Sequence, residues 1–474
     1  MRYGAAQSCP PSILSAYPPE QPYDFVYPSV LYLKKQPIAG GYWLMFDLSF
    51  SEPADQAVSP PDVPAPAPTP FAHAAATSPT QKGAEGIVFD FNLGCRVLLP
   101  VREDGRTWHI RLSDLDTGNI LFERRGMESG LVRSSKRWYV RFEIEVWVEE
   151  PAGGDETPVL RHAMDLRDRT VLIQFSVGTL GDTLAWMPYA ARFAERHGAR
   201  VICALSDLIR PLFETAYPHI LFVTPEELGP REIMQSAYAT YYLGLFFDDA
   251  ARDWHPIDFR HVGLHKTAAY ILGVSPEEEP ARIAFADPGR PLAEPYVCIA
   301  VQASSQCKYW NNPFGWAEVI AWLKERGYRV VCIDRKPVHG TGLVWNHIPF
   351  GVEDQTGDRP LTERAWWLKH AALFIGGSSG LAWLAWSAGC PVTMISGFTH
   401  PDNEFATPGR IINWHTCNAC WNDPRERFDH QDFLWCPRHR GTDRQFECTR
   451  LIPSAYVIRV IERLLSPGPR KPTE

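Results

Sequence analysis

The chain has 474 residues, which is too long for one ordinary hydrophobic core and predicts two or three domains. Hydrophobic residues make up 45% and charged residues 22% of the sequence, so most of the chain is expected to fold. The net charge of −8 argues against a broad basic surface for nucleic acid.

The cysteine usage and the N-terminus predict a reducing, cytoplasmic location. The 11 cysteines are odd in number and scattered, unlike a secreted disulfide framework. Cys203, Cys298 and Cys332 lie in apolar, strand-like runs and are expected to be buried thiols. The first residues lack the charged start and apolar stretch of a secretory signal. No apolar run reaches about 18 residues, so no membrane-spanning helix is expected.

The first third of the chain changes character twice. Residues 1–50 are aromatic and dotted with proline, and we expect a partly extended N-terminal extension. Residues 51–82 are rich in Pro and Ala, a composition that cannot bury enough apolar surface to fold, so a flexible insertion is predicted. Residues 83–160 alternate apolar and polar positions between turn signals, which predicts a small, barrel-like β-domain.

From about residue 165 apolar strands alternate with amphipathic helices, which predicts an α/β fold with parallel sheets. A Pro- and Glu-rich stretch over 274–295 interrupts this rhythm. We therefore expect a first Rossmann-like, acceptor-side domain over 165–285 and a second, donor-binding one over 290–466. A cleft is expected between them.

The loop after the first of these strands, QFSVGTLGDTLAWMP, places Gly178, Gly181 and Asp182 where a strand turns into a helix. Glycines there let the backbone approach a ligand, and a helix N-terminus favours an anion. The alternative is that Asp182 merely caps the helix. The loop has neither the GxGxxG nor the Walker signature, so dinucleotide or P-loop nucleotide binding is not indicated.

Two loops of the second half carry similar signals. Lys308 follows an apolar strand, where its charge could neutralise a phosphate, although a solvated loop lysine is the alternative. The small residues 376–380 end another strand and open a helix. Their N–H groups and hydroxyls suit a diphosphate, although a tight turn that binds nothing has the same composition.

Four cysteines near the C-terminus have the spacing of a metal site: Cys417, Cys420, Cys436 and Cys448. Two cysteines on a tight knuckle and two more nearby can converge tetrahedrally on one ion. Zn²⁺ is favoured by this ligand set and iron is the alternative, and four protein ligands imply a structural role. Unlinked thiols or chance disulfides are the competing interpretation. The flanking His415, His430 and His439 are expected to be surface residues.

Taken together, GTLGDTLAWMP, the Lys308 loop with NNPFGWAEVI, GSSGLAWLAWSAGCPV and the cysteine spacing after HPDNEF resemble the bacterial autotransporter heptosyltransferase family. This family is related to the lipopolysaccharide heptosyltransferases, and the resemblance covers roughly residues 85–466. It implies a GT-B glycosyltransferase fold with an N-terminal β-domain and a four-cysteine finger over 415–450. It also implies transfer of heptose from ADP-glycero-manno-heptose to serines of an autotransporter passenger, a dodecameric assembly, and iron rather than zinc on the cysteines.

The resemblance also implies roles for single residues. Asp182 matches the family's general base, Lys308 the lysine that meets the donor diphosphate, and Ser379 lies in the donor-binding turn. The whole predicted donor-binding set is Thr179, Leu180, Gly181, Lys308, Ser378, Ser379, Gly380 and Leu381. Lipopolysaccharide heptosyltransferases have Asp-Thr-Gly and a downstream His in this turn, whereas this chain has Ser378-Ser379-Gly380 and Trp383. That departure agrees with the protein-modifying branch.

Two alternatives remain open from the sequence. One keeps the fold but gives the enzyme a lipid-linked or lipopolysaccharide sugar as acceptor. The other is a non-catalytic interaction protein, or a nucleic-acid protein, built on the four-cysteine site. Acidic residues are interleaved with the arginines around the cysteines, which disfavours nucleic acid.

Overall fold

The structure of the protein, a computed structural model, describes residues 75–149, 157–175 and 179–466. The predictions for residues 1–50 and for most of the Pro/Ala-rich insertion lie outside the described residues. The last part of that insertion is described, and there Gln81–Lys82 forms a strand.

The described residues form twenty strands and nine α-helices. The strands are β1 (Gln81–Lys82), β2 (Val88–Asn92), β3 (Arg96–Leu99), β4 (Trp108–Asp114), β5 (Ile120–Met127), β6 (Gly130–Arg133), β7 (Phe142–Val148), β8 (Leu160–Ala163), β9 (Thr170–Phe175), β10 (Arg200–Ala204), β11 (Leu221–Val223), β12 (Ala239–Leu243), β13 (Tyr296–Ala300), β14 (Arg329–Cys332), β15 (Val338–Thr341), β16 (Val344–His347), β17 (Glu353–Asp354), β18 (Leu373–Gly377), β19 (Val392–Ile395) and β20 (Gly409–Ile411). The helices are α1 (Leu180–His197), α2 (Ile233–Ser236), α3 (Phe259–Val262), α4 (Lys266–Leu272), α5 (Gly315–Glu325), α6 (Leu361–His370), α7 (Gly380–Ser387), α8 (Glu447–Arg450) and α9 (Ser454–Leu465).

The first α/β half and part of the β-rich region share one eight-stranded sheet. Its order is β11-β10-β9-β12-β2-β3-β6, with β1 paired to β2. Strands β9 to β12 are parallel, and β2 joins them in parallel through Ala239↔Phe91 and Thr240↔Asn92. The sequence predicted a small, barrel-like β-domain over 83–160, and strands β2, β3 and β6 of that region belong to this sheet. The sheets merge because β12 would otherwise present unpaired N–H and C=O groups along its edge.

The junction between the two parts of this sheet is held by buried polar contacts. The Thr240 hydroxyl donates to Asn92 at 2.6 Å, and Arg96 forms a 2.6 Å ion pair with Asp90. Both groups of the ion pair are almost fully buried.

The remaining β-rich strands form a four-stranded antiparallel sheet in the order β5-β4-β7-β8. In β7, Phe142, Ile144 and Val146 are buried, whereas Glu143 and Glu145 lie on the other face. This is the period-2 alternation expected of a strand with one buried face. The sheet therefore packs its apolar side onto the main core, which also includes Trp108 and Phe91.

The second α/β half is built on a six-stranded, wholly parallel sheet in the order β17-β14-β13-β18-β19-β20. Every residue of β13 is buried, as expected for a central strand covered on both faces. Strands β15 and β16 form a separate antiparallel hairpin. The predicted α/β class is confirmed.

One large core runs through the β-rich region, the first half and the face of the second half that meets it. It includes Phe89, Trp186 and Phe374. Cys203, Cys298 and Cys332 are buried free thiols, as predicted. In the part of the chain that the structure describes, no helix has the length and apolarity needed to cross a membrane.

Candidate active site

A cavity of about 880 Å³ lies where the loops of the two α/β halves meet. The loops that follow β9 and β12 contribute from the first half, and those that follow β13, β14, β18 and β19 from the second. In parallel sheets the carboxyl ends of the strands share one edge, which is where such a cavity forms. All nine residues predicted from the sequence for catalysis or donor binding line it: Thr179, Leu180, Gly181, Asp182, Lys308, Ser378, Ser379, Gly380 and Leu381.

Asp182 is the third residue of α1 and is half-buried at the cavity wall. Thr179 holds the N-cap position, so the alternative of Asp182 as the N-cap does not describe this helix. The Thr179 hydroxyl donates to the Asp182 carboxylate. Burial raises the pKa of Asp182, and the Thr179 hydroxyl and the Lys308 ammonium offset part of that rise. Asp182 is thus a carboxylate with raised basicity that faces a cavity.

The N-termini of α1 and α7 approach each other at this cavity. A Cβ on Gly380 would lie 2.8 Å from the Leu180 Cβ and 3.0 Å from the Gly181 nitrogen, so only glycine fits. Ser379, at the N-cap of α7, has a buried hydroxyl oxygen with no hydrogen-bond partner among the described residues. Two helix N-termini and a free hydroxyl suit an anion.

Lys308 ends a short 3-10 helix, Gln306–Lys308, after β13. Its backbone packs against β18, because a Cβ on Gly377 would lie 2.6 Å from the Lys308 carbonyl oxygen. Lys308 lines the cavity, and no carboxylate among the described residues forms an ion pair with its ammonium group. The charge is therefore available to a ligand.

The turn that holds Ser378 is hydrogen-bonded to a buried ion pair. The sequence alone did not indicate this ion pair. The Ser378 hydroxyl donates to the Glu404 carboxylate, which is itself paired with Arg410 at 2.8 Å. The amide of Asn403 also donates to Glu404, at 3.2 Å. Glu404 belongs to the HPDNEF segment, whose resemblance to the family was the only signal of a role.

Further cavity residues were not predicted from the sequence. Buried Asp334, after β14, accepts hydrogen bonds from the Val301 and Gln302 N–H groups, and burial raises its pKa to about 6. His430 was predicted to be a surface residue; it is exposed, yet it lines the cavity. Partial desolvation of its ring at the cavity wall and the nearby Lys308 charge lower the pKa of His430. The cavity is also lined by Tyr242, Phe246, Phe247, Gln302, Phe398, Thr399 and Trp421.

The four predicted metal ligands lie near one another within residues 417–448. Burial raises the pKa of Cys420 to about 12, and the neighbouring Cys417 and Cys436 add to the rise. Burial also raises the pKa of Cys448, and the other three predicted ligands add to that rise. Four cysteine sulfurs in one cluster form a donor set that a thiophilic cation would stabilise. In the described ranges, however, no three His, Cys, Asp or Glu side chains are arranged to hold a metal, so the metal site stays a prediction.

The local backbone supports the knuckle predicted at the first cysteine pair. Ala419, between Cys417 and Cys420, has a left-handed φ of 58°. The Cys417 N–H donates to the Glu447 carboxylate at 2.8 Å, and Glu447 directly precedes Cys448. This hydrogen bond ties the first cysteine of the segment to the residue next to the last one.

Comparison with known proteins links the β-rich region and the α/β region to bacterial glycosyltransferases. Residues 83–150 match the family described as glycosyltransferase TibC, N-terminal domain. Residues 259–422 match glycosyltransferase family 9 (heptosyltransferase). The chain is 53% identical over 386 residues to the autotransporter heptosyltransferase BAHTCr of Citrobacter rodentium (strain ICC168), a match that covers 81% of this chain and 91% of that protein.

Two further relatives are informative. The autotransporter heptosyltransferase TibC of Escherichia coli O78:H11 is 53% identical over 387 residues, 82% of this chain and 92% of TibC. A crystal structure of TibC, a dodecameric iron-containing heptosyltransferase in complex with ADP-D-beta-D-heptose, superposes with a TM-score of 0.77 at 51% identity over 83% of this chain and 99% of that one. BimC of Burkholderia thailandensis, an inactive autotransporter heptosyltransferase, is 44% identical over 389 residues, 82% of this chain and 88% of BimC.

Proposed function

Because this chain belongs to the autotransporter heptosyltransferases of glycosyltransferase family 9, we propose that it transfers heptose from ADP-glycero-manno-heptose to serine hydroxyls of an autotransporter adhesin. The observation that carries this proposal is one cavity that joins a basic carboxylate, Asp182, to an unpaired cation, Lys308, and to the helix N-terminus at Ser379. The two α/β halves then form a GT-B arrangement, with the acceptor on the side of residues 165–285 and the donor on the side of residues 290–466.

The second half supplies the groups that suit the donor diphosphate. Lys308, Ser379 and the first residues of α7, Gly380 and Leu381, all line the cavity, and the buried Ser379 hydroxyl has no hydrogen-bond partner among the described residues. They stabilise the negative charge that develops on ADP as it leaves. Preorganised donors of this kind act without reorganisation at the moment of reaction, which is why we assign leaving-group stabilisation to them.

Asp182 supplies the base for the acceptor. The serine oxygen attacks the anomeric carbon, its proton passes to the Asp182 carboxylate, and the bond from the anomeric carbon to the diphosphate oxygen breaks. A raised pKa makes the carboxylate a better proton acceptor. The Thr179 hydroxyl and the Lys308 charge keep it ionised by favouring the anion.

The four cysteines of the finger would hold a structural iron ion, with zinc as the alternative. Four thiolate ligands would leave no position for a substrate, so these cysteines would cross-link the finger and take no part in the transfer. Iron is supported by the iron-containing relative TibC. We extend the proposal to a dodecamer, as TibC forms, and to the reducing cytoplasm, where thiolate ligands persist.

The decisive experiment is co-expression with an autotransporter passenger, followed by mass spectrometry of its serine-containing peptides. We expect heptose increments on serine with the natural chain and none with Asp182→Asn. Because BimC is an inactive relative, membership of the family does not guarantee transfer. The experiment must therefore measure turnover and not donor binding alone. Modification of a lipopolysaccharide acceptor in place of the passenger would favour the second acceptor class. No transfer to either, with intact donor binding, would favour the non-catalytic alternative.

A further inference from the structure

Three aromatic rings surround the ammonium group of Lys308. Its Nζ lies 5.2 Å from the ring centroid of Phe398, 5.8 Å from that of Trp421 and 5.4 Å from that of Phe428. The rings also contact one another, with centroid separations of 5.3 to 5.4 Å. We call Phe398, Trp421 and Phe428 the aromatic cage. All three distances are within the range in which a ring quadrupole attracts a cation.

The cage fixes the ammonium without neutralising it. Neither a carboxylate nor a hydrogen-bond acceptor among the described residues contacts the Lys308 Nζ. A carboxylate partner would have to be displaced before a diphosphate could bind, with loss of that ion pair. Aromatic faces hold the cation more weakly than a phosphate does, so they restrict its position and leave its charge for the ligand.

Most of the cage belongs to the cysteine finger. Trp421 directly follows Cys420, and Phe428 lies between the second and third cysteines. The Trp421 backbone N–H donates to the Phe398 carbonyl at 3.1 Å, and the indole N–H donates to Asn403 at 3.1 Å. These bonds orient the indole above the lysine.

Trp421 also reaches the first α/β half. Its ring lies 5.5 Å from that of Phe247, after β12, and 5.9 Å from that of Phe259 in α3. Phe398, Trp421 and Phe428 are all buried in a small core that also contains Cys307, the residue before Lys308. The finger thus packs into the wall of the cavity rather than standing apart from it.

We infer that Phe398, Trp421 and Phe428 are positioning residues that hold the Lys308 ammonium toward the diphosphate of the sugar-nucleotide donor. This inference rests on the proposed function, in which Lys308 meets that diphosphate. The finger thereby has a second role, because it sets the geometry of a donor-binding cation as well as bracing its own fold. Weakening the rings' attraction for a cation, without changing their shape, is expected to weaken donor binding.

The test replaces Phe428 with pentafluorophenylalanine, which keeps the planar shape of the ring, adds a little volume and removes its attraction for a cation. Phe433, also in the finger, contacts Tyr309 and His339 and is not among the rings over Lys308, so the same replacement there is the matched control. The full chain is titrated with ADP by calorimetry. We expect the dissociation constant for ADP to rise about 3- to 10-fold at position 428 and to stay within 2-fold at position 433.

A double-mutant cycle separates this inference from the proposed function. Lys308→Met is expected to raise the dissociation constant for ADP by roughly 10-fold or more, and fluorination at position 428 should then have no further effect. Equal effects of fluorination with and without the lysine would overturn the cage, as would no effect at all, while leaving the role of Lys308 intact. An unchanged ADP affinity in Lys308→Met would overturn both the role of Lys308 in donor binding and the positioning role of the aromatic cage. The cage would then hold a side chain that the donor does not contact.

Discussion

Asp334 provides a quantitative prediction about stability. It follows β14, is 2% exposed, and accepts a 2.7 Å hydrogen bond from the Val301 N–H. Burial raises its pKa from 3.8 to about 6, a difference that corresponds to about 3 kcal/mol. We expect Asp334→Asn, whose side chain is neutral at every pH, to remove this pH-dependent contribution to the free energy of unfolding.

The sign follows from proton binding. Below about pH 4 the native and unfolded chains both hold the proton, and the contribution of Asp334 to stability is fully present. As the pH rises through about 6, the unfolded chain has already ionised and the native carboxyl must follow, so that contribution is lost. About half of the 3 kcal/mol falls between pH 5 and pH 7.5.

Differential scanning calorimetry at these two pH values measures the effect. The Tm of Asp334→Asn, relative to that of the parent, is expected to rise by roughly 3–6 °C from pH 5 to pH 7.5, for a cooperative unit of 150–250 residues. Asp358→Asn removes an exposed carboxyl from the same half and is the control. If the Tm difference for Asp334→Asn were the same at both pH values, the buried ionisation of Asp334 would be refuted.

Three further predictions concern catalysis and metal. Asp182→Asn should lower kcat by roughly 100-fold or more while the affinity for ADP is kept. The kcat/KM of the parent protein should fall as the pH falls through the raised pKa of Asp182. Steady-state kinetics over a range of pH measures both effects. Gly377→Ala places a Cβ 2.6 Å from the Lys308 carbonyl and should raise the donor KM several-fold, whereas Gly229→Ala, which meets open space, should not. Elemental analysis of native protein should find stoichiometric iron, and its removal should lower the Tm; zinc without iron would reverse that assignment.

The elements that the sequence predicted well are those set by local pattern. The alternation over 142–148 and the strand–helix rhythm after residue 165 depend on which neighbouring residues face the core, and both are present in the structure. The predicted site residues lie on one cavity because the carboxyl ends of parallel strands share one edge. Asp182, Lys308 and Ser379, far apart in the chain, meet there for that reason.

What the sequence could not show depends on pairing between distant segments. No local pattern indicates that β2 adds to the edge of β12, since either strand could have paired elsewhere. Glu404 looks like an ordinary loop acid until Ser378 and Arg410 are seen around it. Trp421 and Phe428 were part of the cysteine finger in the sequence, and only the fold brings them over Lys308.

The shared sheet decides where this enzyme can be recombined with its relatives. A chimera joined near residue 165 would take β2 from one protein and β12 from the other, so the β2–β12 pairing and the Asn92–Thr240 hydrogen bond would join segments of different origin. The exchangeable block is therefore the whole eight-stranded sheet with its helices. Crossover points belong in the 274–295 connection, between the two sheets.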